Sequence, residues 1–167
     1  MMKTIRAFFL ITLGIVTVLC SLVVWTNSCG IAARKACQHN LKSIGCAICL
    51  YKDDHDQQLP HALSDISDGI LTPLLICPGT RQERQSHSEH GKENMDYIYI
   101  DWSRNFTNVS KIPDKFPLIY DRYLSNHDGD GINVMLVDGT VFWDKDTNWI
   151  TDFVGSNSSY NIPLPTK

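Results

Sequence analysis

The residues of this 167-residue chain best equipped for chemistry gather between Asp121 and Asp138. His127 follows Ser125 and Asn126, with Asp121 upstream and Asp128, Asp130 and Asp138 downstream. Two chemistries fit such a set. Asp128, Asp130 and Asp138, with Asn126 and His127 beside them, offer the hard oxygen ligands that calcium takes. A site of the EF-hand kind is excluded, because its fifth position would be Ile132 and no glutamate closes the loop. Alternatively, His127 paired with Asp121, Asp128 or Asp130 would act as a base toward Ser125 in a hydrolase. No glycine-flanked elbow surrounds Ser125, and no third group is placed to orient the imidazole. The residues therefore favour a structural His127, bonded to a carbonyl or an aspartate, and no catalytic residue is assigned.

The remaining candidates are weaker. Six cysteines do not form two CxxC pairs at zinc-site spacing. Cys46-Ala-Ile-Cys49 lies inside a helical pattern, whereas redox CxxC pairs sit at helix N-termini. His87 and His90 belong to the polar run 81–94, which reads as a solvated loop with exposed histidines. A net charge of -3 without clustered Lys or Arg excludes nucleic acid as a partner.

These residues must be held by a hairpin, 132–144. Asp138-Gly139 predicts a two-residue turn that pairs Val137 with Thr140, Met135 with Phe142 and Val134 with Trp143. Alternation then puts Ile132, Val134, Leu136, Val141 and Trp143 on the face that meets the core. Before the hairpin, Tyr97 to Trp102 and Phe116 to Asp121 read as two further strands. Residues 62–75 read as a short helical piece ended by Cys77-Pro78-Gly79, and 149–167 as a tail that either packs across the sheet or stays loose.

At the other end of the chain, Lys3 and Arg6 precede an uncharged run, 7–25, which spans about 28 Å as a helix. It predicts an uncleaved anchor in residues 1–28, with its N-terminus in the cytoplasm and the lipid bilayer as partner, the alternatives being a cleaved secretory signal or a lipoprotein acylated at Cys29. Ala33, Cys37, Leu41, Ile44, Ile48 and Tyr51 form one stripe, predicting an amphipathic stem helix over 29–56 and a globular region over 57–167. In an exported domain a disulfide between Cys37 and Cys77 can form, the alternative being two buried thiols.

Cys37, Asn40-Leu41-Lys42, Ile44-Gly45 and Tyr51, then Cys77-Pro78, then His127 and Asp138-Gly139, resemble the signature of a bacterial prepilin-type, pseudopilin-like family. That signature ends in His, nine residues and Asp-Gly; here ten residues intervene. The resemblance implies an α+β, pilin-like fold, a long N-terminal helix (membrane span plus soluble stem) packed on a small antiparallel sheet of about four strands. It also implies a single-pass protein of the bacterial inner membrane, with its globular domain periplasmic or extracellular. The expected role is structural or assembly work linked to a type II secretion or pilus-like system, with other pseudopilin or secretion components as partners and without catalysis. A calcium-stabilised loop near the C-terminus would match the major pseudopilins of type II secretion, and no other cofactor is expected. The chain departs from the family in lacking a clear prepilin peptidase site at Lys3 to Phe9.

Overall fold

The computed structural model describes residues 2–66, 72–80, 95–127 and 129–166. Its elements are α1 (Met2–Asp54), β1 (Tyr97–Tyr99), β2 (Pro117–Asp121), β3 (Gly131–Leu136), β4 (Val141–Lys145) and α2 (Asn148–Ser156), with short 3-10 turns between them. The architecture is α+β: an N-terminal helix and a four-stranded antiparallel sheet in the order β1-β2-β3-β4. The chain divides into two compact units, Met1–Ala32 and Ala33–Lys167.

In the second unit, α1 buries Cys37, Leu41, Ile44 and Ile48, the stripe that the three- and four-residue spacing predicts. The helix ends in a reversal: Asp56 takes a positive φ of 52°, and the Gln57 N–H reaches back to the Lys52 carbonyl at 2.8 Å. That six-to-one bond satisfies a carbonyl which the helix itself leaves free. The predicted helical piece over 62–75 is instead two 3-10 turns, Leu63–Ile66 and Thr72–Leu75, separated by residues outside those described.

Every residue of β2 and β3 is buried, so the sheet is covered on both faces. One face meets α1, where Met135 backs onto Gly45 and the Arg34 guanidinium lies 4.7 Å from the centre of the Trp143 ring. The other face meets α2, where Phe142 packs edge-on against Trp149 at 5.0 Å and Ile150 is fully buried. Of the two outcomes open to the tail 149–167, packing across the sheet or staying loose, the structure shows packing. Beside it Trp102, Phe106, Phe116, Phe153 and Tyr160 form an aromatic cluster with ring centres 5.0–6.2 Å apart.

The hairpin register corrects the expected one. Val134 pairs with Phe142 and Met135 with Val141, one residue away from the two-residue-loop reading. The loop has three residues because Leu136 N–H donates to the Thr140 carbonyl and Gly139 N–H to the Leu136 carbonyl, both at 2.9 Å. Of the Asp138-Gly139 pair only Gly139 takes positive φ (80°), which suits a type I turn followed by one left-handed residue. The one-residue slip turns β4 over. Phe142 joins Ile132, Val134 and Leu136, while Trp143 joins Asn133 and Met135 on the α1 side.

The first unit is helical, and its described apolar side chains face outward: Ile15, Val16, Val18 and Leu19 are 54%, 54%, 60% and 56% exposed. Thr17 Oγ1 donates to the Gly14 carbonyl at 2.8 Å and Ser21 Oγ to the Thr17 carbonyl at 2.7 Å. Among the described residues no helix is long and apolar enough to cross a membrane. The side chains of 7–11, 13, 20 and 22–25 in the apolar run lie outside those described.

Candidate functional site

Four polar groups from four elements converge in the second unit. Cys37 comes from α1; Cys77 lies between two 3-10 turns, Thr72–Leu75 and Pro78–Thr80; Asp121 ends β2; and His127 ends the 3-10 turn Leu124–His127. Cys37 and Cys77 form a disulfide with Cα atoms 5.6 Å apart. His127 Nε2 lies 3.1 Å from Asp121 Oδ2 and 3.6 Å from Cys77 Sγ, and Cys37 Sγ lies 3.9 Å from Asp121 Oδ1. One donor atom from each of the four falls within 4.8 Å of the others, and all four residues are buried.

The surroundings hold this cluster in place. Asp121 Oδ2 accepts both the backbone N–H of Asn133 at 2.6 Å and its side-chain amide at 3.0 Å. The buried Asp96 accepts the Cys77 N–H at 2.7 Å, and Asn40 Nδ2 donates to the Ile76 carbonyl at 3.2 Å, tying the Cys77 segment to α1. Tyr97 OH lies 3.2 Å from Cys37 Sγ; burial, with the Asp121 charge adding to it, pushes its phenol far above the ordinary range. Gly79 admits the close approach of the two cysteine- and histidine-bearing turns, because a Cβ there would stand 2.0 Å from the Asn126 carbonyl oxygen.

The motif residues fall into distinct roles. Leu41 and Ile44 are core, Gly45 faces Met135, and Lys42 points to solvent. Tyr51 stacks on His55 at 3.8 Å. The three aspartates of the calcium set are not all among the described residues. Asp128 lies outside the described residues, while Asp130 and Asp138 stand at opposite ends of β3, roughly 20 Å apart at the rise of a strand. Asp138 is committed elsewhere: Lys115 Nζ at 2.7 Å and the Thr140 N–H at 2.8 Å hold its carboxyl down to about 2. Cys46 and Cys49 are exposed on α1; His87 and His90 lie outside the described residues.

No family model, curated protein or solved structure matches this chain. Its functional reading therefore rests on residues and geometry.

Three cluster members escaped the sequence reading: Tyr97, Asn133 and Asp96. Asn133 carried a signal, a polar residue within the apolar run of β3, as did Asp121 closing β2. A second constellation was also missed. Ser103 Oγ bonds Asp101 Oδ1 and lies 3.2 Å from His61 Nδ1, which itself lies 3.5 Å from Asp101 Oδ2. Burial pushes the Asp101 carboxyl up, but bonds from Ser103, His61 and Arg104 outweigh it and hold the group below its ordinary value. The same imidazole nitrogen faces both Ser103 and Asp101, so there is no relay through the ring of the kind a Ser-His-Asp triad requires.

Proposed function

We propose that this protein is a membrane-anchored, pseudopilin-like structural or assembly protein whose domain from Ala33 onward is exported and does no catalysis. The observation that carries this reading is the outward presentation of Ile15, Val16, Val18 and Leu19 on α1. Four large apolar side chains within five residues, each more than half exposed, call for a cover that water does not provide. A bilayer is such a cover. Thr17 and Ser21 return their hydroxyls to carbonyls of their own helix, as polar side chains in hydrocarbon must. Residues 7–25 are the segment that contacts lipid, and other pseudopilin or secretion components are the partners the resemblance implies. The hydrolase alternative loses support from burial. Its histidine and aspartate side chains are 3% and 0% exposed, out of reach of a substrate.

Topology tests the reading. A C-terminal fusion to an alkaline phosphatase that is active only after export should give activity retained in carbonate-washed membranes, and deletion of residues 2–28 should release or silence it. A lysine cross-linker applied to those membranes should yield multimers of the chain. An inactive full-length fusion, or one washed off by carbonate, overturns the anchor; a chain that cross-links only as a monomer overturns the assembly role.

A further inference from the structure

We propose that Cys37, Cys77, Asp121 and His127 form a tetrahedral zinc site in the thiol form of the protein, which the Cys37–Cys77 disulfide replaces on oxidation. The donor set is suited to zinc: two thiolates and an imidazole, completed by one carboxylate oxygen. Zinc bonds of 2.0–2.3 Å place tetrahedral ligands about 3.3–3.8 Å apart. The distances from His127 Nε2 to Asp121 Oδ2 and to Cys77 Sγ, 3.1 and 3.6 Å, lie close to those edges, and one ligand atom from each of the four residues falls within 4.8 Å of the others. Opening the bridge lets the two sulfurs part to the same spacing. All four residues are already convergent and buried, so the ion meets an organised site.

The hydrogen bonding around His127 supplies a second, independent argument. Its Nε2 lies 3.1 Å from Asp121 Oδ2, an acceptor, and 3.1 Å from Asn133 Nδ2, a donor. An unprotonated Nε2 opposes the carboxylate across 3.1 Å; a protonated one is the third donor on Asp121 Oδ2, which already takes the backbone and side-chain N–H of Asn133. A cation between Nε2 and Asp121 replaces that third proton and leaves both Asn133 bonds in place. Tyr97 OH, beside Cys37 Sγ, is a donor to the thiolate, and the Asn133 bonds orient Asp121, the outer-shell support that metal ligands usually have.

The chemistry balances. A phosphine opens the bridge by taking an oxygen atom from water, whose two hydrogens go to the two sulfurs as thiols. Zinc then displaces two thiol protons. In the reverse direction a small disulfide oxidant accepts two electrons, leaving as two thiolates, while Cys37 and Cys77 join and the ion departs.

The test uses the full chain in detergent, carrying C46S and C49S so that the exposed pair cannot bind metal. After phosphine reduction without oxygen, one equivalent of cobalt(II) should give the intense visible bands of tetrahedral cobalt with thiolate charge transfer. Zinc should then displace it. The oxidised protein should give no such spectrum. Asn133→Ala should weaken cobalt binding about 10–100-fold, and Cys37→Ser should cut the thiolate bands to half or less. If Cys37→Ser fails to fold, protection replaces it: one equivalent of zinc should slow maleimide labelling of Cys37 and Cys77 in the reduced wild-type sequence at least tenfold, as read by peptide mass. An octahedral cobalt spectrum, bands that persist with the bridge intact or at full strength in folded Cys37→Ser, or unprotected thiols each overturn the site.

Discussion

Asp144 Oδ2 accepts the backbone N–H of Ile150 at 2.8 Å, while its other oxygen takes the N–H of Trp149 at 3.0 Å. A carboxylate at the end of β4 thus caps α2, whose N-cap residue, Thr147, makes no side-chain cap of its own. Asp144 is buried, so its removal strands two amides and unpins the layer over one sheet face. Asp144→Ala should cost about 1–3 kcal/mol. Urea melts of the domain should show the midpoint fall, with Asp144→Asn recovering part of the loss.

Gly79 offers a contrasting test, in which adding one carbon is the injury. Its missing Cβ would sit 2.0 Å from the Asn126 carbonyl oxygen, an atom of backbone that cannot swing aside. Gly79→Ala should push the Cys77 turn from the His127 turn and destabilise the fold by about 1–3 kcal/mol. Counting free thiols under fixed oxidising conditions should show slower closure of the Cys37–Cys77 bridge. Thiol loss at the wild-type rate with unchanged stability would mean the two turns are not held together here.

Lys115 and Asp138 predict a pH effect of definite sign. Lys115 is the larger influence holding Asp138 at about 2, with the Thr140 N–H adding to it. Because the folded value lies below the unfolded one of about 3.9, the stabilisation is fully present above that pH. It is lost as pH falls toward 2. The pair is on the surface, so Lys115→Ala should cost under about 1 kcal/mol at neutral pH. Carboxyl chemical shifts should show Asp138 titrating higher in that variant; an unmoved titration would assign the shift to the turn alone.

Much of the frame is legible in the sequence. Leu41, Ile44 and Ile48 recur at helical spacing and bury together, and the aromatic and β-branched runs around Tyr97, Ile119 and Val134 become strands of one sheet. The hairpin register could not be read, because Asp138-Gly139 suits both a two-residue loop and the three-residue loop found; the choice depends on which φ angles turn positive. Of the partners of His127, Asp121 is legible, six residues away and among the sequence candidates. Cys37 and Cys77 are not, because they stand ninety and fifty residues away, and the strand pairing that sets Asp121 beside Asn133 is a tertiary fact. Asp130 and Asp138 are near each other along the chain, and β3 stretches between them.

The two sides of the stem helix make the last prediction. Leu41 is fully buried in the core, whereas Leu50, further along the same helix, is 66% exposed. Removing the Leu41 side chain leaves a cavity beneath a sheet that has no slack to refill it, so Leu41→Ala should cost about 2–5 kcal/mol. Leu50→Ala removes the same atoms from a site largely in water and should stay within about 0.5 kcal/mol of wild type. Urea melts of the two variants decide the matter. Equal losses would mean that the exposed side of α1 is itself covered in solution, in which case the Leu50 effect should grow with protein concentration.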